Sequence, residues 1–260
     1  MSGPVLLPDG DSAPASLLDV LRSARLRGLL GDRPVEDQVE HAVGFVRAYS
    51  WAAPGPPRPA IGDDGDRTGS GVGPRPSCWL DLGSGGGIPG LVLAACWPES
   101  QGLLVEASQR RARFLEEAVQ TLDWGRRVRV VPLRAEAAVG EEGLRAGVDL
   151  VVARSFGPPP VTAECASPFL VPGSGLLVVS EPPTSSSPAP GSEPEVSGDP
   201  VRWPPAGLAT LGLVPVGVAR HDYGYQVLRQ ATACPGRFPR RPGMAAKRPL
   251  WSLRPDKSHH

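Results

Sequence analysis

The sequence predicts an α/β protein, a Rossmann-like sheet with helices on both faces and a small N-terminal helical cap. Three observations predict it. Residues 78–90 read Cys-Trp-Leu-Asp-Leu-Gly-Ser-Gly-Gly-Gly-Ile-Pro-Gly, a short apolar run, a glycine turn and a proline placed to open a helix, which is the nucleotide-binding entry of a doubly wound sheet. Further short apolar runs at 102–105, 127–131, 148–153 and 175–179 alternate with helical patterns, as βαβ units require. Two more strand patterns, 213–220 and 224–231, read as a closing antiparallel pair joined at His221-Asp222-Tyr223-Gly224.

Ahead of the sheet, Leu17, Leu18, Leu21 and Leu29 recur on a helical period, predicting a helix over 15–30 that Gly31 ends. Val35, Val39, Val43 and Val46 predict a second helix over 34–51, with Glu36, Asp37 and Glu40 in its first turns, where the helix dipole favours acids. Residues 52–77 are nearly all Pro, Gly, Arg, Asp and Ser and carry no packing pattern. Ser108 is placed to cap a helix over 109–123, whose opening Arg110, Arg111 and Arg113 run against the dipole preference and are suited to phosphate contact. A helix is expected over 161–170 and a loop over 181–205. The organisation is a helical extension 1–51, a Pro/Gly-rich linker 52–77, a catalytic domain 78–232 and a basic tail 233–260.

Composition bounds the rest. The chain has 260 residues, 32 Gly, 32 Pro and a formal net charge of zero, so no overall field draws it to nucleic acid or a membrane. Lys occurs only at 247 and 257. Four cysteines make neither a metal-ligand nor a CxxC spacing, and free thiols suit a reducing cytoplasm. No signal peptide and no membrane-spanning run is expected. The tail is locally basic, with Arg237, Arg240, Arg241, Lys247 and Arg248 interleaved with Phe238 and Trp251, a pattern suited to neutralising phosphates.

The glycine turn admits two ligands. Gly85-x-Gly87-x-x-Gly90 with Glu106 downstream fits the dinucleotide fingerprint. The pattern acid-x-Gly-x-Gly, here Asp81-Leu82-Gly83-Ser84-Gly85, fits S-adenosylmethionine (SAM). An acid before the turn repels a pyrophosphate and suits a cationic amino group, so charge favours SAM. On that reading Asp81, Gly83 and Gly85 hold the cofactor, and Glu106 at the end of the second strand takes the ribose hydroxyls. Arg154, Ser155 and Phe156 follow the fourth strand at the carboxyl edge, where a cation beside an aromatic suits stacking on a base.

Leu80-Asp-Leu-Gly-Ser-Gly-Gly-Gly-Ile-Pro-Gly90, Arg110-Arg-Ala-Arg-Phe-Leu115, Arg134-Ala-Glu136, Ala153-Arg-Ser-Phe156 and Phe238-Pro-Arg-Arg-Pro-Gly243 together resemble the GidB/RsmG family. The resemblance implies a class I SAM-dependent methyltransferase fold and methylation of N7 of a guanine in small-subunit (16S) ribosomal RNA. It implies the RNA or the ribosomal subunit as partner, a cytoplasmic monomer, and no metal. It places the cofactor on Gly83 and Ile88, on Ala135 and Glu136 beside the adenine, and on Arg154. Ser180-Glu181-Pro182-Pro183 stands where the family shows Lys-Gly, and His41 lies in the region of its His-x-x-Asp-Ser element. A methyltransferase of small molecules and a non-catalytic RNA-binding relative are the alternatives on the same scaffold.

Overall fold

The computed structural model describes residues 6–53, 74–182, 199–220 and 223–253. Most of the expected linker, the middle of the 181–205 loop and His221-Asp222 lie outside the described residues.

Seven strands form one sheet in the order β3-β2-β1-β4-β5-β7-β6. They are β1 (Cys78–Leu82), β2 (Gln101–Val105), β3 (Val128–Val131), β4 (Leu150–Ala153), β5 (Leu176–Glu181), β6 (Leu213–Arg220) and β7 (Gly224–Gln230). The first five are parallel, and β7 runs antiparallel between β5 and β6. After β1 the chain builds β2 and β3 on one side and then crosses to place β4 on the other. The carboxyl ends of β1 and β4 therefore flank the crevice where open α/β sheets bind ligands. Helices cover both faces, so the parallel strands are buried on both sides and read as continuous apolar runs.

On one face lie α1 (Ala15–Leu26), α2 (Val35–Ala52), α3 (Gly90–Cys96) and α4 (Gln109–Thr121). Leu17, Leu21, Val39, Leu91 and Phe114 share a single apolar core there, so the N-terminal helices pack directly on the sheet. On the other face lie α5 (Ala135–Ala138), α6 (Pro159–Ala166), α7 (Pro205–Ala209) and α8 (Met244–Lys247), with Ala163, Leu208 and Phe238 in a second core.

α1 stops at Leu26, four residues before the expected end. Gly28 takes a left-handed φ of 68°, its amide bonds to the Arg25 carbonyl at 2.9 Å, and the Leu29 amide bonds to the Ala24 carbonyl at 2.9 Å. This is a Schellman termination, so Gly28 and not Gly31 is the stop. It frees Leu29 and Leu30 from the helix to lie against Gly86 of the glycine turn. The short helices α5, α7 and α8 have no counterpart among the helices expected from the sequence. Each spans only four or five residues, too few for a periodic pattern to register.

Gly44 inside α2 serves a close approach. An added Cβ would come within 2.0 Å of the Tyr225 hydroxyl, which donates to the His41 carbonyl at 2.7 Å. Gly44→Ala is expected to destabilise the protein by about 1–3 kcal/mol through overpacking, despite alanine's better helix propensity. A lowered thermal midpoint checks it.

Candidate functional site

The crevice is built from backbone bonds first. The amides of Gly83 and Ser84 donate to the Val105 carbonyl at 2.9 and 3.1 Å, and the Gly87 amide donates to the Ser84 carbonyl at 2.8 Å. These bonds fold the turn back over the end of β2. Gly83, Gly85 and Gly87 have φ of 77°, 58° and 98°, which glycine alone takes without strain. An added Cβ on Gly85 meets nothing closer than the Gly83 carbonyl oxygen at 3.8 Å, so this position faces open space.

Glu106 ties the turn to the next element. Its Oε2 accepts from the Gly85 amide at 2.9 Å, and its Oε1 accepts from the Ser108 amide at 2.8 Å. Each carboxylate oxygen keeps a second lone pair. The expected Ser108 side-chain cap on α4 does not form; the backbone amide of Ser108 is held by Glu106 instead.

Asp81, expected from the sequence among the cofactor residues, is turned inward: the residue is 1 % exposed, and its Oδ2 accepts from the Gly90 amide at 2.9 Å. The carboxylate holds the start of α3 against β1 and positions the turn from below. Burial pushes its pKa up to about 7, against the opposing pull of the Gly90 amide and the Arg154 charge. Ile88 is likewise buried in the core, 4 % exposed.

Across the crevice, β4 delivers Arg154, Ser155 and Phe156. Ser155 sits at φ 55°, a costly left-handed conformation for a non-glycine residue. It swings the Phe156 ring onto Gly83, where an added Cβ would meet the ring at 2.7 Å. Arg154 Nη2 donates to Gln38 Oε1 at 3.0 Å. Gln38 in turn donates to the carbonyls of Gly31 and Arg33 at 3.1 and 3.0 Å. One buried amide thus joins α2, the segment after α1 and the β4 loop. The signal for Gln38 was available: it occupies a core-facing position between Val35 and Val39. Beside it, the His41 ring stacks on Tyr223 at 4.1 Å and 9°. Burial, with the charges of Arg154 and Arg33, lowers the His41 pKa to about 4, so the ring is neutral near pH 7. Its Nε2 is buried with no hydrogen-bond partner among the described residues.

Ala135 and Glu136 follow β3. Ala135 is buried. Glu136 Oε1 accepts from the Gly243 amide at 3.0 Å and from Arg134 at 3.2 Å. Burial acts to raise the Glu136 pKa, but the Gly243 amide, its own backbone amide and Arg134 outweigh it and hold the carboxyl below its ordinary value. The tail therefore docks at the expected adenine wall.

The tail cations divide. Arg240 is committed to the fold. Its backbone amide and Nε donate to Oε1 of Glu164 at 3.0 and 2.9 Å, and its Nη2 donates to Oε2 at 2.5 Å and to the Arg248 carbonyl at 2.8 Å. Glu164 is 1 % exposed. Arg240, expected among the phosphate-binding cations, is thus engaged within the fold through its Nε and Nη2 and is only partly exposed. Arg237, Arg241, Lys247 and Arg248 are exposed. Phe238 is buried, and Trp251 Nε1 donates to the Arg202 carbonyl at 3.0 Å, so the tail aromatics are anchors. At 181, Glu181 accepts from Arg202 at 2.7 Å and from Trp203 at 2.8 Å, which makes this departure from Lys-Gly part of the packing. Among the described residues, no group of three or more His, Cys, Asp or Glu could hold a metal, and no helix is long and apolar enough to cross a membrane.

Residues 72–180 match the profile of GidB, rRNA small subunit methyltransferase G. The Ribosomal RNA small subunit methyltransferase G of Leuconostoc citreum is 31% identical over 184 residues, covering 67% of this chain and 70% of that protein. The chain belongs to the GidB family. The Rubrobacter xylanophilus member is 32% identical over 180 residues, 65% of this chain and 64% of its own length. The Salinispora arenicola member is 44% identical over 102 residues, and the chain spans 42% of its length. Among solved structures, a candidate O-methyltransferase from Klebsiella pneumoniae superposes with TM-score 0.53 at 16% identity, over 85% of this chain and 91% of that one. Cofactor-bound Rv0187 from MTB superposes with TM-score 0.51 at 14% identity, over 85% and 92%. At those identities the likeness is one of fold, the class I methyltransferase sheet carried by this GidB member.

Two predictions follow from the buried carboxylates. Asp81 holds its proton in the folded state between its ordinary pKa of 3.8 and about 7, so its contribution to stability falls as pH rises through that window. The thermal midpoint of Asp81→Asn minus that of wild type should therefore rise from about pH 4 to about pH 7 and level off above. His41 titrates in the opposite sense in both proteins and cancels in the difference. Arg240→Met leaves Glu164 buried without its cation and should cost about 3 kcal/mol. Chemical denaturation gives the loss, and limited proteolysis should cut first in the tail.

Proposed function

We propose that the protein is a SAM-dependent methyltransferase acting on N7 of a guanine in small-subunit ribosomal RNA. The observation that carries the cofactor assignment is the bond between Asp81 and the Gly90 amide. A pyrophosphate needs the helix N-terminus after the glycine turn, and here a buried carboxylate already occupies it. A cofactor without phosphates and with a positive charge avoids that conflict. The remaining residues fit the same group. Glu106 has one free lone pair on each oxygen for a ribose diol, and Gly85 leaves open the space a flat ligand needs. Ala135 and Glu136 form the wall expected beside adenine.

When bound, SAM supplies an activated methyl group, and the chain's own residues orient and enclose the acceptor. Guanine N7 carries a free lone pair at neutral pH, so no residue need remove a proton. Methylation leaves positive charge on the base. A half-buried Phe156 ring offers it a stacking surface. Arg154, fixed by Gln38, is the positioning cation beside the base. The exposed Arg237, Arg241, Lys247 and Arg248 suit contacts to RNA phosphates, which position a substrate without reading its sequence. Membership of the GidB family supports the RNA substrate. Glu181, at the departure from Lys-Gly, is engaged within the fold by Arg202 and Trp203.

The test is transfer of labelled methyl from SAM to small-subunit RNA from cells lacking this gene, followed by nucleoside analysis. Label in 7-methylguanosine is the expected result. Tight SAM binding with no label in RNA would overturn the substrate. Gly85→Trp is expected to fill the open space and weaken SAM binding at least a hundredfold, about 2.7 kcal/mol, with the fold retained by circular dichroism. Undiminished binding would move the cofactor elsewhere.

A further inference from the structure

A cleft of about 540 Å³ opens between the end of α1 and the first turns of α4. Arg110, Arg113, Phe114 and Glu117 recur at helical spacing on the α4 side, and Arg27 faces them from just beyond α1. The single acid in this lining, Glu117, is taken by Arg27 at 2.8 Å. Arg27 also lies over the Phe114 ring at 5.3 Å from its centroid. Arg110 donates through Nη2 to the Arg27 carbonyl, an end-of-helix acceptor that would otherwise lack a partner. Arg27 and Arg110 thus staple the N-terminal helices to α4.

Arg113 does no such work. It is exposed, and no ion pair engages it among the described residues. Three guanidiniums face one carboxylate in a protein whose formal net charge is zero. α4 has no acid in its first turn, so its cations stand against the positive end of the helix. Each guanidinium has five N–H donors, and the staple uses few of them. The remaining donors belong to side chains that line an open cleft together with Phe114.

The place of the cleft is equally specific. α4 follows β2 directly through Glu106, whose carboxylate holds Gly85. Leu29 and Leu30, beyond α1, lie on Gly86. The cleft therefore borders the glycine turn at the carboxyl edge of the sheet. The basic tail docks on the opposite face, against α6 and Glu136. We propose that the α1–α4 cleft is a second phosphate-backbone site for RNA, so that the strand carrying the target nucleotide is held on both faces of the sheet with the crevice between. This rests on the RNA substrate proposed above. Phosphodiester oxygens accept charge-assisted bonds from arginine in the geometry such a cluster offers.

The test measures equilibrium binding of small-subunit ribosomal RNA and of SAM to wild type, Arg113→Gln, Arg113→Glu and Arg113→Lys. Arg113 carries no structural bond, so the thermal midpoints should match. The expected result is an RNA Kd raised about tenfold by Gln and further by Glu, with Lys close to wild type. The slope of log K against log salt should fall by about 1 for Gln, with the SAM Kd unchanged throughout. RNA affinity and salt slope equal to wild type in both Gln and Glu variants would overturn the cleft as a site while leaving the RNA substrate standing. A wild-type protein that binds SAM but no RNA would overturn the RNA substrate and the cleft together.

Discussion

The arrangement of the crevice depends on one buried carboxylate. Asp81 sits at the end of β1 with almost no solvent contact, and it accepts the first amide of α3. Burying a carboxylate is costly unless it is hydrogen-bonded, and the end of a helix supplies an otherwise unpaired donor. The two deficits cancel. The turn between them must then span a fixed gap, and three residues with left-handed φ accomplish it as glycines. Glu106 repeats the device one strand away, joining the turn to α4 through two backbone amides. The glycine turn is thus preorganised by two carboxylates bonded to backbone amides.

A second set of bonds closes the site from outside the sheet. On one face, Gln38 links Arg154 to the carbonyls of Gly31 and Arg33, and the Schellman end of α1 places Leu29 and Leu30 on Gly86. On the other, Glu164 grips Arg240 and Glu136 grips the Gly243 amide. The terminal segments of the chain are therefore walls of the crevice, and their stability is coupled to it. Because the buried ions are paired through several hydrogen bonds each, removing one partner is far more damaging than the net worth of the pair suggests.

Charge is distributed to match. The protein is neutral overall, yet exposed cations line the α1–α4 cleft and recur along the tail at Arg237, Arg241, Lys247 and Arg248. The crevice itself is flanked by the Phe156 ring over Gly83 and the Arg154 guanidinium held by Gln38. Such a layout suits an anionic strand held at its phosphates while an unstacked base stacks on an aromatic ring.

The sequence by itself determined the sheet, the glycine turn, Glu106 at the end of β2 and the GidB motifs. These follow from patterns local in the chain: strand and helix periodicities, and glycine where φ must be positive. It also supplied, without marking them, Gln38 and Glu164, polar residues set among apolar neighbours. Only the tertiary structure decided which way the carboxylates point. Asp81 reads as a ligand group from its place before the turn, and burial turns its carboxylate inward onto the Gly90 amide. Arg240 reads as one more basic residue of a tail, and a partner 76 positions earlier in the chain claims it. Gly28 rather than Gly31 ends α1, because termination depends on which carbonyls the next amides can reach. In each case a side chain's partner lies far along the chain or across a turn, and residue type alone does not say which partner burial will impose.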